Sequence, residues 1–213
     1  MKNIANNLQV VLQKIPEHVQ VVAVTKFQTI DDIKLLYEAK QMVFGENRVQ
    51  ELLSKKDELP NDVEWHLIGH LQKNKVKYIV PFISLIHSVD NEKLLAEIDK
   101  EAKKCNRTIN YLLQIHVAQE ETKFGFSIDE IEDFFATKAY QKYANCCLQG
   151  IMGMASNTTD TAIITAEFLS LKSIFEKHKN VPLKTLSMGM SSDFELAINC
   201  GSNMIRVGSL LFK

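Results

Sequence analysis

No stretch of this sequence approaches the roughly 18 unbroken apolar residues of a membrane-spanning helix, so no membrane partner is expected. The first residues, Met1-Lys2-Asn3-Ile4-Ala5-Asn6-Asn7, lack the apolar run and small-residue cleavage site of a secretory signal. A cytoplasmic location follows as the expectation. Neither sign of charge dominates: 25 Lys and Arg stand against 26 Asp and Glu, a formal net charge of −1. That balance gives no electrostatic case for nucleic acid or an anionic surface, and any anion must be held by a local site. The cysteines at 105, 146, 147 and 200 have no CxxC spacing and are expected to be reduced. The six histidines form no metal-ligand pattern, and no metal site is expected. No Pro/Gly/Ser-rich linker or low-complexity tract divides the 213 residues, so residues 1–213 are expected to form a single domain.

What is present is an alternation of short apolar, β-branched runs with longer stretches of helical period. Eight runs predict strands: Gln20–Lys26, Met42–Asn47, Val63–His70, Leu85–Val89, Ile109–Val117, Cys147–Met154, Thr185–Met190 and Met204–Ser209. Helices are predicted between them at Ile30–Ala39, Val49–Lys56, Lys73–Val80, Asn91–Cys105, Ile128–Thr137, Thr159–His178 and Ser192–Asn199, with one more at Asn3–Lys14 before the first strand. Strands separated by helices make right-handed βαβ units and parallel sheets. Eight units predict an α/β fold, a (β/α)8 TIM-type barrel with an extra N-terminal helix. An open doubly wound sheet is the alternative, since alternation alone does not show closure.

Barrels build their sites at the carboxyl ends of strands. There, Lys26 closes the run Val21-Val22-Ala23-Val24-Thr25, and strand alternation puts Val22, Val24 and Lys26 on one face. If Val22 and Val24 are core, Lys26 points to the barrel mouth, where partial desolvation would leave more neutral amine to attack an aldehyde. The plainer reading is a lysine reaching solvent past the strand end.

An aldehyde with a phosphate tail also needs an anion cradle. The run Ser187-Met188-Gly189-Met190-Ser191-Ser192-Asp193 leads into a helix predicted to start near Ser192, and Arg206-Val207-Gly208-Ser209 ends the eighth run. Free backbone N–H groups, hydroxyls and a close backbone approach at Gly208 suit a phosphate. Singly, each segment reads equally as a serine cap and a turn. Arg206 alternates with Ile205 and Val207; facing inward, its guanidinium would keep a pyridine-type nitrogen unprotonated, or it would pair with a barrel carboxylate. Asn47 is either a ring or phosphate ligand or a helix cap. His66 and His70 share a predicted strand face with Ile68. Lys123 is a second candidate amine, in the loop after the fifth strand.

Together these segments resemble the pyridoxal phosphate homeostasis protein family, whose members look like the barrel domain of alanine racemase without its second domain. The resemblance is carried by Ala23-Val24-Thr25-Lys26, Phe44-Gly45-Glu46-Asn47-Arg48-Val49-Gln50-Glu51, Trp65-His66-Leu67-Ile68-Gly69-His70-Leu71-Gln72-Lys73-Asn74-Lys75, Lys123-Phe124-Gly125, Ser187 to Asp193 and Gly201 to Ser209. It implies pyridoxal 5′-phosphate as a Schiff base on Lys26, with Arg206 toward the pyridine nitrogen and Asn47 near the ring. Ser187, Ser191, Gly208 and Ser209 would be the phosphate neighbourhood. It also implies a monomer that carries or buffers the cofactor without an established reaction of its own. Amino acids and apo-enzymes that need the cofactor would be its other partners. A racemase or weak transaminase using the same lysine is the alternative, and a barrel without cofactor is a third. His70 departs from the family pattern, standing where a small residue or proline is usual.

Overall fold

The computed structural model describes residues 3–120, 124–178 and 180–213. The eight apolar runs form parallel strands β1 (Gln20–Val24), β2 (Val43–Glu46), β3 (Glu64–Leu67), β4 (Leu85–Val89), β5 (Ile109–Ile115), β6 (Cys146–Gly153), β7 (Thr185–Met190) and β8 (Met204–Val207). Each pairs with its sequence neighbour, and β8 returns to pair with β1, Val22 lying opposite Arg206. The sheet is closed, a TIM-type barrel, and the open-sheet alternative falls.

Around it run α2 (Ile30–Glu38), α3 (Val49–Lys55), α4 (Val76–Ile79), α5 (Glu92–Lys104), α6 (Ile128–Ala136), α7 (Thr161–Lys177) and α8 (Phe194–Asn199), preceded by α1 (Ile4–Gln13). Local chemistry sets their starts. Thr29 caps α2 and Asn91 caps α5 through side-chain oxygens that accept backbone N–H groups, and Ser127 with Glu130 forms a reciprocal capping box on α6. The helix predicted over Lys73–Val80 is instead a 3-10 turn, Lys73–Lys75, followed by the single turn of α4. Its polar start has no capping side chain, and within α4 only Val76 and Ile79 are buried.

Two apolar clusters follow from strand alternation. The larger fills the space between strands and helices, and the smaller lies inside the barrel, with Val22, Val24, Val43, Leu85, Leu112 and Met204 among its members. Toward the carboxyl ends the interior turns polar: Leu85 is followed on its face by His87, Leu112 by Gln114, and Met204 by Arg206, all buried. α1 closes the seam between first and last units. It buries Ile4, Leu8 and Val11, Asn7 Nδ2 donates to the Leu211 carbonyl at 3.1 Å, and Lys14 pairs with Glu195 of α8 at 2.8 Å. No helix among the described residues is long and apolar enough to cross a membrane. The four cysteines are free thiols, and no cluster of metal-ligating side chains occurs among the described residues.

Candidate functional site

A cavity of about 290 Å³ opens at the carboxyl face of the barrel, across the β1–β8 seam. Lys26, Asn47, Ser191, Arg206, Gly208 and Ser209 line it, joined by Ser192 and by an apolar wall of Val24, Ile68, Met154 and Met190. Six of the seven residues that the family resemblance assigns to the cofactor thus meet in one place. Ser187 does not line it.

β1 ends at Val24, two residues short of the predicted end. Lys26 therefore sits in a turn and is exposed, as the plainer of the two readings has it. The turn itself is firmly held. The Gln28 N–H and Lys55 Nζ both donate to the Thr25 carbonyl, at 3.0 and 2.8 Å. Phe27, in a left-handed conformation with φ 63°, donates its N–H to Glu51 Oε2 at 3.1 Å. Glu46 Oε1 accepts from both the Thr25 hydroxyl (2.7 Å) and Lys55 Nζ (2.6 Å). Glu46 and Lys55 are buried, so this is a desolvated ion pair between β2 and α3 whose spare donor grips the backbone next to Lys26. A bulky residue at positive φ costs on the order of 1 kcal/mol or more, and these contacts hold it in place.

Arg206 is the opposite case, buried from solvent by the barrel interior. Its NH1 group donates to the Ser187 carbonyl (2.9 Å) and hydroxyl (2.6 Å), and NH2 donates to the Gly153 carbonyl (3.0 Å). Burial lowers its pKa to about 10, with the Asp193 carboxylate acting in the other direction, so the guanidinium is charged at neutral pH. Behind it, Ser187 Oγ meets His87 Nδ1 at 3.3 Å, and His87 Nε2 meets His66 Nδ1 at 3.0 Å. Burial lowers the His66 pKa to about 3. It lowers that of His87 well below the ordinary histidine value, with the nearby His66 and Arg206 adding to the effect. Both rings are therefore neutral. Since a guanidinium only donates, the arrangement that uses every Ser187 proton runs one way: Arg206 to Ser187, Ser187 to His87 Nδ1, His87 Nε2 to His66 Nδ1.

The expected roles of Ser187 and His70 change accordingly. Ser187 lies within β7, opposite Met152 and Met204, and is fully buried against Arg206, outside the lining of the cavity. His66 is interior as alternation requires, but β3 stops at Leu67, and His70 leaves the barrel. There its Nδ1 bonds Asp90 at 3.0 Å and its ring stacks on Phe124. The helix after β7 begins at Phe194, not Ser192, because Asp193 Oδ1 accepts the Met190 N–H and keeps the segment in a turn. Ser191 Oγ instead accepts the Gly208 N–H at 3.1 Å, tying the two serine-glycine segments together. A Cβ on Gly208 would come within 3.2 Å of Val24, a tight approach that the β1 backbone would have to relieve by a few tenths of an ångström. Lys123 lies outside the described residues.

The sequence pointed to no role for His87, and Glu46 read only as a ring or phosphate ligand or a helix cap, not as part of a set with Glu51 and Lys55. For His87 a signal existed, since it shares its strand face with Leu85; for Lys55 there was none beyond an ordinary i, i+4 spacing from Glu51.

The sequence matches the family described as alanine racemase, N-terminal domain, over residues 1–213. The pyridoxal phosphate homeostasis protein of Helicobacter pylori (strain ATCC 700392 / 26695) is 39% identical, across 92% of this chain and 87% of that one. Its counterpart from Pasteurella multocida is 34% identical, across 100% and 94%. A structure of PipY from Synechococcus elongatus PCC7942 with PLP bound superposes with a TM-score of 0.90 at 32% identity, covering 99% of this chain and 100% of PipY. Alanine racemase of Clostridium difficile 630 shares the fold, with a TM-score of 0.79 at 14% identity over 56% of its length. With a closed parallel barrel, a matching domain over its whole length and relatives of this similarity, the chain belongs to the pyridoxal phosphate homeostasis protein family.

Proposed function

We propose that the cavity holds pyridoxal 5′-phosphate, joined to Lys26 Nζ as a Schiff base. We further propose that the chain acts in the cytoplasm as a monomeric carrier or buffer of this cofactor, for amino acids and for apo-enzymes that need it. One observation carries the reading: an amine, a buried guanidinium and three serine hydroxyls, brought from opposite ends of the sequence, line one cavity. The lining fits the cofactor's parts. Ser191, Ser192, Ser209 and the backbone at Gly208 offer small polar groups for a phosphate, and Asn47 stands for the ring edge. Arg206 suits the pyridine nitrogen. A charged guanidinium has no lone pair to share and no proton to give, so it leaves that nitrogen unprotonated.

When bound, the cofactor supplies an aldehyde carbon that condenses with amines. Two features favour holding and exchange over racemisation. A ring nitrogen kept unprotonated is a weak electron sink. Among the described residues the lining contains no Tyr, His, Asp, Glu or Cys to serve as a second proton-transfer group opposite Lys26.

The test is spectroscopic. Protein loaded with the cofactor should absorb near about 420 nm, as a lysine imine of this cofactor does. Lys26→Ala should abolish the band, and borohydride should fix the cofactor to the peptide containing Lys26. An adduct on any other lysine ends the covalent assignment. Multiple-turnover racemisation of a single amino-acid enantiomer, dependent on Lys26, ends the carrier reading.

A further inference from the structure

Next to the Lys26 cavity lies a second concavity, of about 260 Å³, to which Asn47, Arg48, Gln50, His70, Gln72 and Lys75 contribute. The two adjoin at Asn47, which lines both. They can do so because residue 69 is glycine: a Cβ there would stand 2.3 Å from the Asn47 carbonyl oxygen, so the chain leaving β3 passes directly against the end of β2.

The chemistry of this groove is that of an anion receptor. Arg48 and Lys75 have no carboxylate partner among the described residues and rest near the rings of Phe27 and Tyr78, at 5.8 and 5.9 Å. Neither the Gln50 nor the Gln72 side chain makes a hydrogen bond among the described residues, so both keep amide N–H donors to offer. His70 is fixed by Asp90 and Phe124, with Nε2 as its free ring nitrogen. In a chain of net charge −1 these groups make a local excess of cations and donors. Acceptors are present as well, in Gln50 and Gln72 Oε1, and the one that is buried without a donor is Asn47 Oδ1, at the border with the Lys26 cavity. Two cations at one end and an unpartnered acceptor at the other match a small molecule bearing a carboxylate and an amine.

We propose that this groove is a second binding site, taking the carboxylate of a free amino acid on Arg48 and Lys75 and setting its amine at Asn47, beside Lys26. The benefit of that placement rests on the cofactor reading above, because it brings a competing amine to the cofactor's attachment point; the binding itself does not.

The first arm of the test uses cofactor-free protein labelled with 15N. The side-chain amides of Asn47, Gln50 and Gln72 and Nε of Arg48 are followed while L-alanine, sodium acetate or ethylamine is added at constant ionic strength. Alanine should give saturable shifts, acetate weaker ones and ethylamine none. The Arg48→Gln, Lys75→Gln double variant should bind alanine at least about tenfold more weakly, as expected for losing charge-assisted hydrogen bonds. In a second arm, with loaded wild-type protein, alanine should discharge the cofactor band faster than ethylamine at equal free-amine concentration. The double variant should erase that difference. Equal shifts with ethylamine and alanine, or unchanged alanine binding in the double variant, overturns the proposal. Alanine binding as expected, in a wild-type protein that forms no band with the cofactor, would leave the groove standing and remove the cofactor reading instead.

Discussion

The two cationic side chains that face the cavity are held by opposite means. On the β1 side, charge balances charge: buried Glu46 and Lys55, with Glu51 at the rim, grip the backbone on either side of Lys26 from outside the barrel. On the β8 side, a single buried cation has hydrogen bonds to neutral groups, the Ser187 hydroxyl and two carbonyls, with two uncharged histidines behind and the Asp193 carboxylate acting through its field. Each arrangement has its own weak point. A buried ion pair is costly when one member goes, because the other is left uncompensated. A dipole-solvated cation loses only one hydrogen bond at a time, but its neutral neighbours are exposed to acid.

The largest effect should come from acid, on the β8 side. In the unfolded chain His66 takes up a proton near its ordinary pKa of about 6.5, whereas in the fold it stays neutral down to about 3. The unfolded state therefore binds more protons below about pH 6.5. The stability contribution is complete above that pH and is lost as pH falls toward about 3, about 5 kcal/mol in full by linkage. Urea unfolding between neutral and acid pH should show a shallower decline in His66→Asn than in wild type. Identical slopes would show that the inner histidines are not held neutral.

Next comes the β1 side at neutral pH. Lys55→Met should destabilise by about 3–5 kcal/mol, and adding Glu46→Gln should restore most of it, since the stranded carboxylate is then gone. Urea titrations of the single and double variants measure this, and additive losses would break the contrast between the two regions. The smallest effect is expected for Ser187→Ala, about 2 kcal/mol for a hydrogen bond to a charged group. With it, 15N spectra of His87 should show the wild-type proton on Nε2. A proton on Nδ1 in the wild type would reverse the direction assigned to the chain from Arg206.

Much of this could be read in the sequence because it depends on local periodicity. Alternation grouped Val22 with Val24 and set Arg206 opposite Ile205 and Val207, which left only the inward side to be decided, and the runs around residues 191 and 208 were recognisable as neighbours at the ends of consecutive strands. One error occurs where a strand stops early. His70 was counted along β3, but the strand ends at Leu67, and past that point alternation has no meaning. Ser187 was grouped with the strand-end serines, but β7 carries it inside the barrel, where its hydroxyl accepts from Arg206 and it does not line the cavity. Lys55 was invisible for a different reason. Nothing in a helix sequence distinguishes a surface lysine from one whose stem crosses to the carbonyl of a turn thirty residues earlier.

The cavity straddles the place where the sheet closes. Lys26 and Val24 belong to the first strand's edge of that seam, and Arg206, Gly208 and Ser209 to the last's. Anything that grips both sides acts as a staple across the closure. It binds the shut barrel and not one with its first and last strands parted, so by mass action its occupancy is converted into resistance to opening. Slow hydrogen exchange at the amides of β1 and β8 would then be a measure of how much of the protein is loaded.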